Sequence, residues 1–160
     1  MKPLLPTLLA AGLLCLAGCD YDIPITAEPT RPVDPRLVGT WANYDPDEQK
    51  VEVITVRAWD DTHYAVAIDR DIYRAHHSDL GAMSMISVQD LNSDAHKYVY
   101  YSWSLSDDGR QLTLRRVRQE LVPDKVRDVA TMQRLLRDNA AKPQLYEPAT
   151  VFTRKGGGKG

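Results

Sequence analysis

From residue 40 to residue 117 the chain is a succession of short runs in which apolar and polar residues alternate, separated by clusters of Asp, Asn, Ser and Gly. Alternation puts successive side chains on opposite faces of a strand, so each run reads as a half-buried β-strand. The first begins at Thr40-Trp41-Ala42-Asn43. The second covers 51–59 and ends at a tight turn, Asp60-Asp61. In 63–68, Tyr64, Val66 and Ile68 alternate with His63, Ala65 and Ala67. Runs at 72–77 and 85–91 follow. The clearest is 97–105, where Val99, Tyr101, Trp103 and Leu105 share one face and Tyr98, Tyr100, Ser102 and Ser104 the other. Asp108-Gly109 is a hairpin signal. Beyond it Leu112 and Leu114 alternate, and then the apolar phase jumps to Val117, which predicts a β-bulge near Arg115-Arg116. The period changes once. Val126, Val129, Met132 and Leu136 recur at helical spacing, which predicts a helix over about 125–139. Asp124 is its expected N-cap, and Asn139 and Pro143 end it. A final strand is expected over 149–154. The pattern is mainly β: an antiparallel meander that removes its edges by closing into a small barrel, with one α-helix before the last strand.

The N-terminus has a different texture. Lys2 is followed by an apolar stretch, 4–16, broken only by Pro6 and Thr7, and then by the small residues Ala17 and Gly18. The stretch is too short for a spanning helix, which needs roughly 20 residues; it has the parts of a secretory leader. Leu16-Ala17-Gly18-Cys19 resembles the lipobox of bacterial lipoproteins. That resemblance implies cleavage between Gly18 and Cys19, removal of 1–18, and attachment of a diacylglycerol and a fatty acyl chain such as palmitate to Cys19. A thiolate is the nucleophile such a transfer needs, and two or three long chains anchor a protein stably. The partner so implied is the membrane, reached through a lipid anchor on the periplasmic face. Asp20 resembles an inner-membrane retention signal, which favours the inner over the outer membrane.

Composition narrows the rest. Only two cysteines are present. Cys15 would leave with the leader and Cys19 would carry lipid, so no internal disulfide is expected and the apolar core must hold the fold. The formal net charge is −2, with no basic excess pointing to nucleic acid. Pro24, Pro29, Pro32 and Pro35 predict an extended tether over 19–35, followed by a β domain over 36–154 and a glycine-rich flexible tail over 155–160.

Gly39-Thr40-Trp41 resembles the G-x-W opening of lipocalin-like barrels. The resemblance implies that Gly39 and Trp41 belong to the closure of one end of the barrel, which the Trp plugs, and that an Arg from late in the chain, Arg154, lies across the ring as a cation–π partner. The helix before the last strand departs from the lipocalin order. The whole is similar to Gram-negative lipoproteins with a single small β domain, a likeness that supplies no activity.

Candidate chemistry is sparse. His76-His77-Ser78-Asp79 stands out, but neighbours on a strand point to opposite faces and cannot chelate one metal together. A common site would require His63, His96 or Asp79 to be brought in by folding. No nucleophile motif accompanies the pair. The expectation is therefore no catalytic residue, no metal and no cofactor. Arg110, Arg115, Arg116, Arg118, Lys125 and Arg127 form a basic segment, read as a solvated face or an anionic-lipid contact. Tyr98 and Tyr100, opposite the core face of their strand, are a candidate contact surface. The function these features suggest is a membrane-anchored envelope lipoprotein that binds another envelope protein without catalysis; the alternative is a lipocalin-like carrier of a small apolar ligand.

Overall fold

The structure, a computed structural model, describes residues 21–156. The leader over 1–18, which includes Gly18, together with Cys19, Asp20 and tail residues 157–160, lies outside the described residues. Eight strands form one closed antiparallel barrel in chain order: β1 (Gly39–Asp45), β2 (Lys50–Ala58), β3 (His63–Ile68), β4 (Asp71–His77), β5 (Met85–Asp90), β6 (Tyr98–Leu105), β7 (Gln111–Arg116) and β8 (Thr150–Arg154). β8 closes onto β1 by pairing Trp41 with Arg154 and Ala42 with Thr153. Helix α1 (Val129–Asn139) precedes β8, as the change of period predicts. No helix among the described residues is long and apolar enough to cross a membrane.

The alternation read from the sequence sets which residues face the lumen. Trp41, Ile54, Val56, Tyr64, Ala75, Trp103, Leu112 and Phe152 form one buried cluster inside the barrel. A second cluster lies outside the barrel wall. There Tyr21 and Ile25 meet Met85 of β5 and Tyr100 of β6, and Met132 and Leu136 of α1 close over them with Val117, Val122 and Leu145. The wall made by β5 and β6 is therefore buried on both faces.

That second cluster corrects three expectations. Residues 21–35 are not a free tether. Tyr21 pairs with Tyr98 in both directions at 2.8 Å, the Ile25 amide donates to Ser87 Oγ at 3.0 Å, and both apolar side chains are fully buried. The segment then crosses the barrel end: Thr30 binds the His77 carbonyl and Val33 the Asp61 carbonyl, each at 2.9 Å. It is a strap that becomes a plug, and the folded body begins at or before Tyr21. Second, no bulge interrupts β7. Tyr101↔Arg116 through Leu105↔Leu112 is a continuous register, and the Val117 amide continues it by donating to the Tyr100 carbonyl at 2.9 Å. The apolar phase shifts at Val117 because the buried face shifts from lumen to outer wall. Third, α1 starts four residues later than expected. Asp128, not Asp124, caps it, its side chain accepting from the Thr131 amide at 2.7 Å, while Val126 already packs against the outer cluster from the loop.

Candidate functional site

Three places can carry function: the lumen, its closed end, and the outer surface. An eight-stranded barrel is just wide enough for side chains to fill it. Here they leave a cavity of about 80 Å³ along the axis, bounded by apolar side chains such as Ile54, Val66, Val88, Leu114 and Phe152 together with Tyr64, Tyr73, Tyr101 and Trp103. Pockets for drug-sized ligands are several-fold larger, at about 300–1,000 Å³.

The closed end is built on Trp41, which is fully buried. Its indole N–H donates to the Leu37 carbonyl at 2.9 Å. The Arg154 guanidinium carbon sits 4.2 Å from the ring centroid. Its Nη1 donates to the Val38 carbonyl at 2.9 Å and its Nε to the Gly109 carbonyl at 3.1 Å, and Nη2 reaches the Arg36 carbonyl. Those bonds tie the start of β1 to the β6–β7 hairpin and the end of β8. Gly39 has φ +150°, and a Cβ there would stand 2.5 Å from Arg154 Nη1. Gly39, Trp41 and Arg154 thus meet at one point, which closes that end.

Beside them lies a buried polar chain. The Asp34 amide donates to Tyr64 Oη at 2.6 Å, and Tyr64 Oη lies 2.7 Å from His77 Nε2. The phenol oxygen thus accepts from the Asp34 amide and shares a hydrogen bond with the ring nitrogen of His77. Burial pulls the His77 pKa down to about 4, and the Arg31 charge acts in the same direction, so the ring is neutral. Burial raises the Tyr64 phenol to about 12. The hydrogen bond from Arg36 holds Asp34 below the usual carboxylate range. His77 Nδ1 and Trp103 Nε1 are buried without a hydrogen-bond partner among the described residues, and their rings are 5.4 Å apart. Over Trp103 lies the Arg31 guanidinium, 5.0 Å from the ring centroid, itself paired to Asp79 at 2.7 Å.

His76 faces the other way, as strand alternation requires. Its Nε2 lies 3.2 Å from the Thr26 carbonyl of the strap, and its ring is 5.6 Å from that of His63. His63 in turn binds Asp60 at 3.0 Å. Among the described residues no three His, Cys, Asp or Glu side chains converge as metal ligands would. Thr62 Oγ1 lies 3.0 Å from His63 Nδ1, the same ring nitrogen that meets Asp60, so hydroxyl and carboxylate share one nitrogen at the β2–β3 turn; the hydroxyl partner of His77 is a phenol held in the protonated state.

The candidate contact surface at Tyr98 and Tyr100 is corrected. Tyr100 is 0% exposed, stacked on Tyr21 with centroids 4.0 Å apart, and Tyr98 is partly buried under the same cover. The chain's own strap occupies that face. The exposed large apolar side chains lie elsewhere, at Tyr44 (59%), Trp59 (54%), Val51 (51%), Ile72 and Val151. Tyr44 and Val51 are cross-strand partners, as are Ala42 and Val53, and Thr40 and Thr55. Thr153 and Val151 extend the row across β8, next to Ala42 and Thr113. Ala67 extends it across β3 beside Thr55. The outer wall from β7 through β8, β1 and β2 to β3 is thus a continuous uncharged surface of small and β-branched residues, bounded by Arg57 and Arg115. The sequence signal for it was present: the polar positions of these strands are Thr and Ala where a purely solvated face carries Lys and Glu.

Compared with protein-family models, with curated proteins and with solved structures, the chain matches none.

Proposed function

We propose that this protein is a lipid-anchored lipoprotein of the bacterial envelope whose barrel is a non-catalytic binding module for another envelope protein. The observation that carries the reading is the uncharged outer wall around Tyr44, Val51 and Val151. Soluble monomers rarely expose a large contiguous apolar patch, and those they expose mark contact sites. The opposite wall, at β5 and β6, has the same need for cover and receives it from the strap and α1. The wall at β8–β1–β2 receives none from the described residues. The filled lumen points the same way, because it leaves little room for a ligand. The Leu-Ala-Gly-Cys sequence supports the anchoring half of the reading.

The test is photo-crosslinking in the native envelope from a reactive residue at Val151, with a second probe at Asp61 on the barrel's closed end. A single protein adduct from position 151, absent from 61 and lost in Tyr44→Glu, supports the reading. Equal labelling from both positions sinks it. A second reading, carriage of a small apolar molecule, has the axial cavity in its favour. It predicts that a benzene-sized apolar probe raises the melting temperature in proportion to the logarithm of its concentration.

A further inference from the structure

Cys19 stands two residues before Tyr21, and two residues reach at most about 7 Å. Tyr21 is fixed to the body. Its backbone pairs with Tyr98 at 2.8 Å in both directions, its ring stacks on Tyr100, and its hydroxyl donates to the Val122 carbonyl at 2.8 Å. Asp22, next along, pairs with Arg127 at 2.8 Å and with Lys97. On the reading that Cys19 carries the acyl chains, on which this inference rests, no spacer separates the domain from the bilayer. The surface around Tyr21 must meet the lipid headgroups.

A groove of about 680 Å³ lies on that surface, between residues 116–125 and the Glu147-Pro148 pair. Val122, which takes the Tyr21 hydroxyl, adjoins its wall at Pro123 and Asp124. The groove carries both signs of charge: Arg118 and Lys125 against Glu120, Asp124 and Glu147. Arg118 Nε and Gln119 Nε2 are buried nitrogens with no hydrogen-bond partner among the described residues. Both are donors, so their missing partner is an acceptor oxygen. A phosphate offers acceptor oxygens with charge, and an ammonium group one phosphodiester away answers the carboxylates.

We propose that this groove seats on the bilayer and takes the headgroup of a glycerophospholipid bearing a phosphate and a primary ammonium. The phosphate faces Arg118, Gln119 and Lys125. The ammonium faces Glu120, Asp124 and Glu147. The lipid anchor supplies proximity, and the groove fixes which side of the barrel faces the membrane. The uncharged wall around Tyr44 then stays free for a protein partner.

The test uses the full-length acylated protein in phosphatidylethanolamine vesicles. With Cys19 acylated and Cys15 removed with the leader, an introduced cysteine is the sole thiol. A fluorophore is placed by Pro148→Cys, on the groove's wall, or by Asp61→Cys, at the closed end, and quenched by lipids carrying a nitroxide on the headgroup. Quenching severalfold stronger at 148 than at 61 is expected; equal quenching overturns the seating. Lys125→Gln, at an exposed position, should remove more than half of the contrast, as should exchange to phosphatidylcholine, whose quaternary amine donates no hydrogen bond. Contrast that survives both overturns the headgroup assignment. Arg118→Gln should act like Lys125→Gln, with an unchanged melting temperature showing that the fold is intact. Mass spectrometry of the same samples separates the two failures: protein without acyl chains overturns the anchoring reading itself, whereas acylated protein with equal quenching overturns only this inference.

Discussion

Tyr21 stacks on Tyr100 with ring centroids 4.0 Å apart and planes 14° apart. The contact joins a segment that precedes the barrel to the outer face of its sixth strand. It turns a proline-rich segment into part of the core. The Tyr100 hydroxyl donates to the Ile23 carbonyl, so the strap is held by hydrogen bonds as well as stacking.

The first prediction follows from that contact. Tyr21→Ala removes a ring that is 1% exposed and should cost on the order of 3–5 kcal/mol, as other buried aromatics do. Chemical denaturation of the soluble form from residue 20 onward measures it. A chain starting at residue 36 should lose more, because Ile25 and the Asp34–Tyr64 bond go with it. Unchanged midpoints in both would mean that the strap contributes nothing to the fold.

The barrel was legible in the sequence because an antiparallel meander writes its lumen face at every second residue. Val99, Tyr101, Trp103 and Leu105 point inward, and Asp108-Gly109 turns the hairpin, with Gly109 at φ +67°. The cover was harder to read. Tyr21, Ile23 and Ile25 alternate like a strand, yet Pro24 interrupts them and argues for an extended spacer. Tyr100 sits in a polar row between Tyr98 and Ser102, so alternation alone assigns it to solvent. What buries it is a segment some eighty residues distant, and no local period records that. The same cause hid the meaning of Val117: a shift of apolar phase is identical in sequence whether the strand bulges or the buried face changes. The closed end was legible as a resemblance at Gly39 and Trp41. The Asp34–Tyr64–His77 chain was not, since three residues from separate elements carry no motif.

At the closed end, Trp41→Ala should cost about 3–5 kcal/mol for the same reason as Tyr21. Gly39→Ala is the sharper test. It removes no contact, but it places a methyl 2.5 Å from Arg154 Nη1 in a backbone conformation foreign to alanine. The expected loss is about 1–3 kcal/mol. Arg154→Met should relieve the clash, so the double variant should lose less than the sum of the singles. Strict additivity, measured by a double-mutant cycle, would show that Gly39 and Arg154 do not interact.

Stability should fall with acid in a defined window. His77 has a folded pKa of about 4 against an ordinary 6.5, chiefly through burial, and burial lowers His76 as well. The folded protein therefore resists a proton that the unfolded chain accepts. The contribution is complete above pH 6.5 and declines as pH falls from 6.5 toward 4. Burial sets the size of the effect, on the order of 1–3 kcal/mol, and Arg31, Asp79, Asp34 and His76, which face the ring, modify it. Urea midpoints collected across this range should slope for the wild type and flatten in His77→Gln. A slope unchanged by that substitution would assign the effect to other groups.

The anchor and the fold should separate cleanly. Cys19→Ser removes the thiol that would accept the diacylglycerol, and with it the driving force of about 0.8 kcal/mol for each buried methylene. Partition into the detergent phase should be lost, and the protein should keep its leader because cleavage at this type of site follows lipid transfer. The body should be untouched, since the strap contacts of Tyr21 stay in place in the serine variant. The thermal midpoint of the serine variant should therefore equal that of the wild type once the leader is removed. A serine variant still in the membrane fraction after leader removal, or a wild-type mass without acyl chains, would refute Cys19 as the attachment point. A large drop in midpoint would show instead that residue 19 belongs to the folded body.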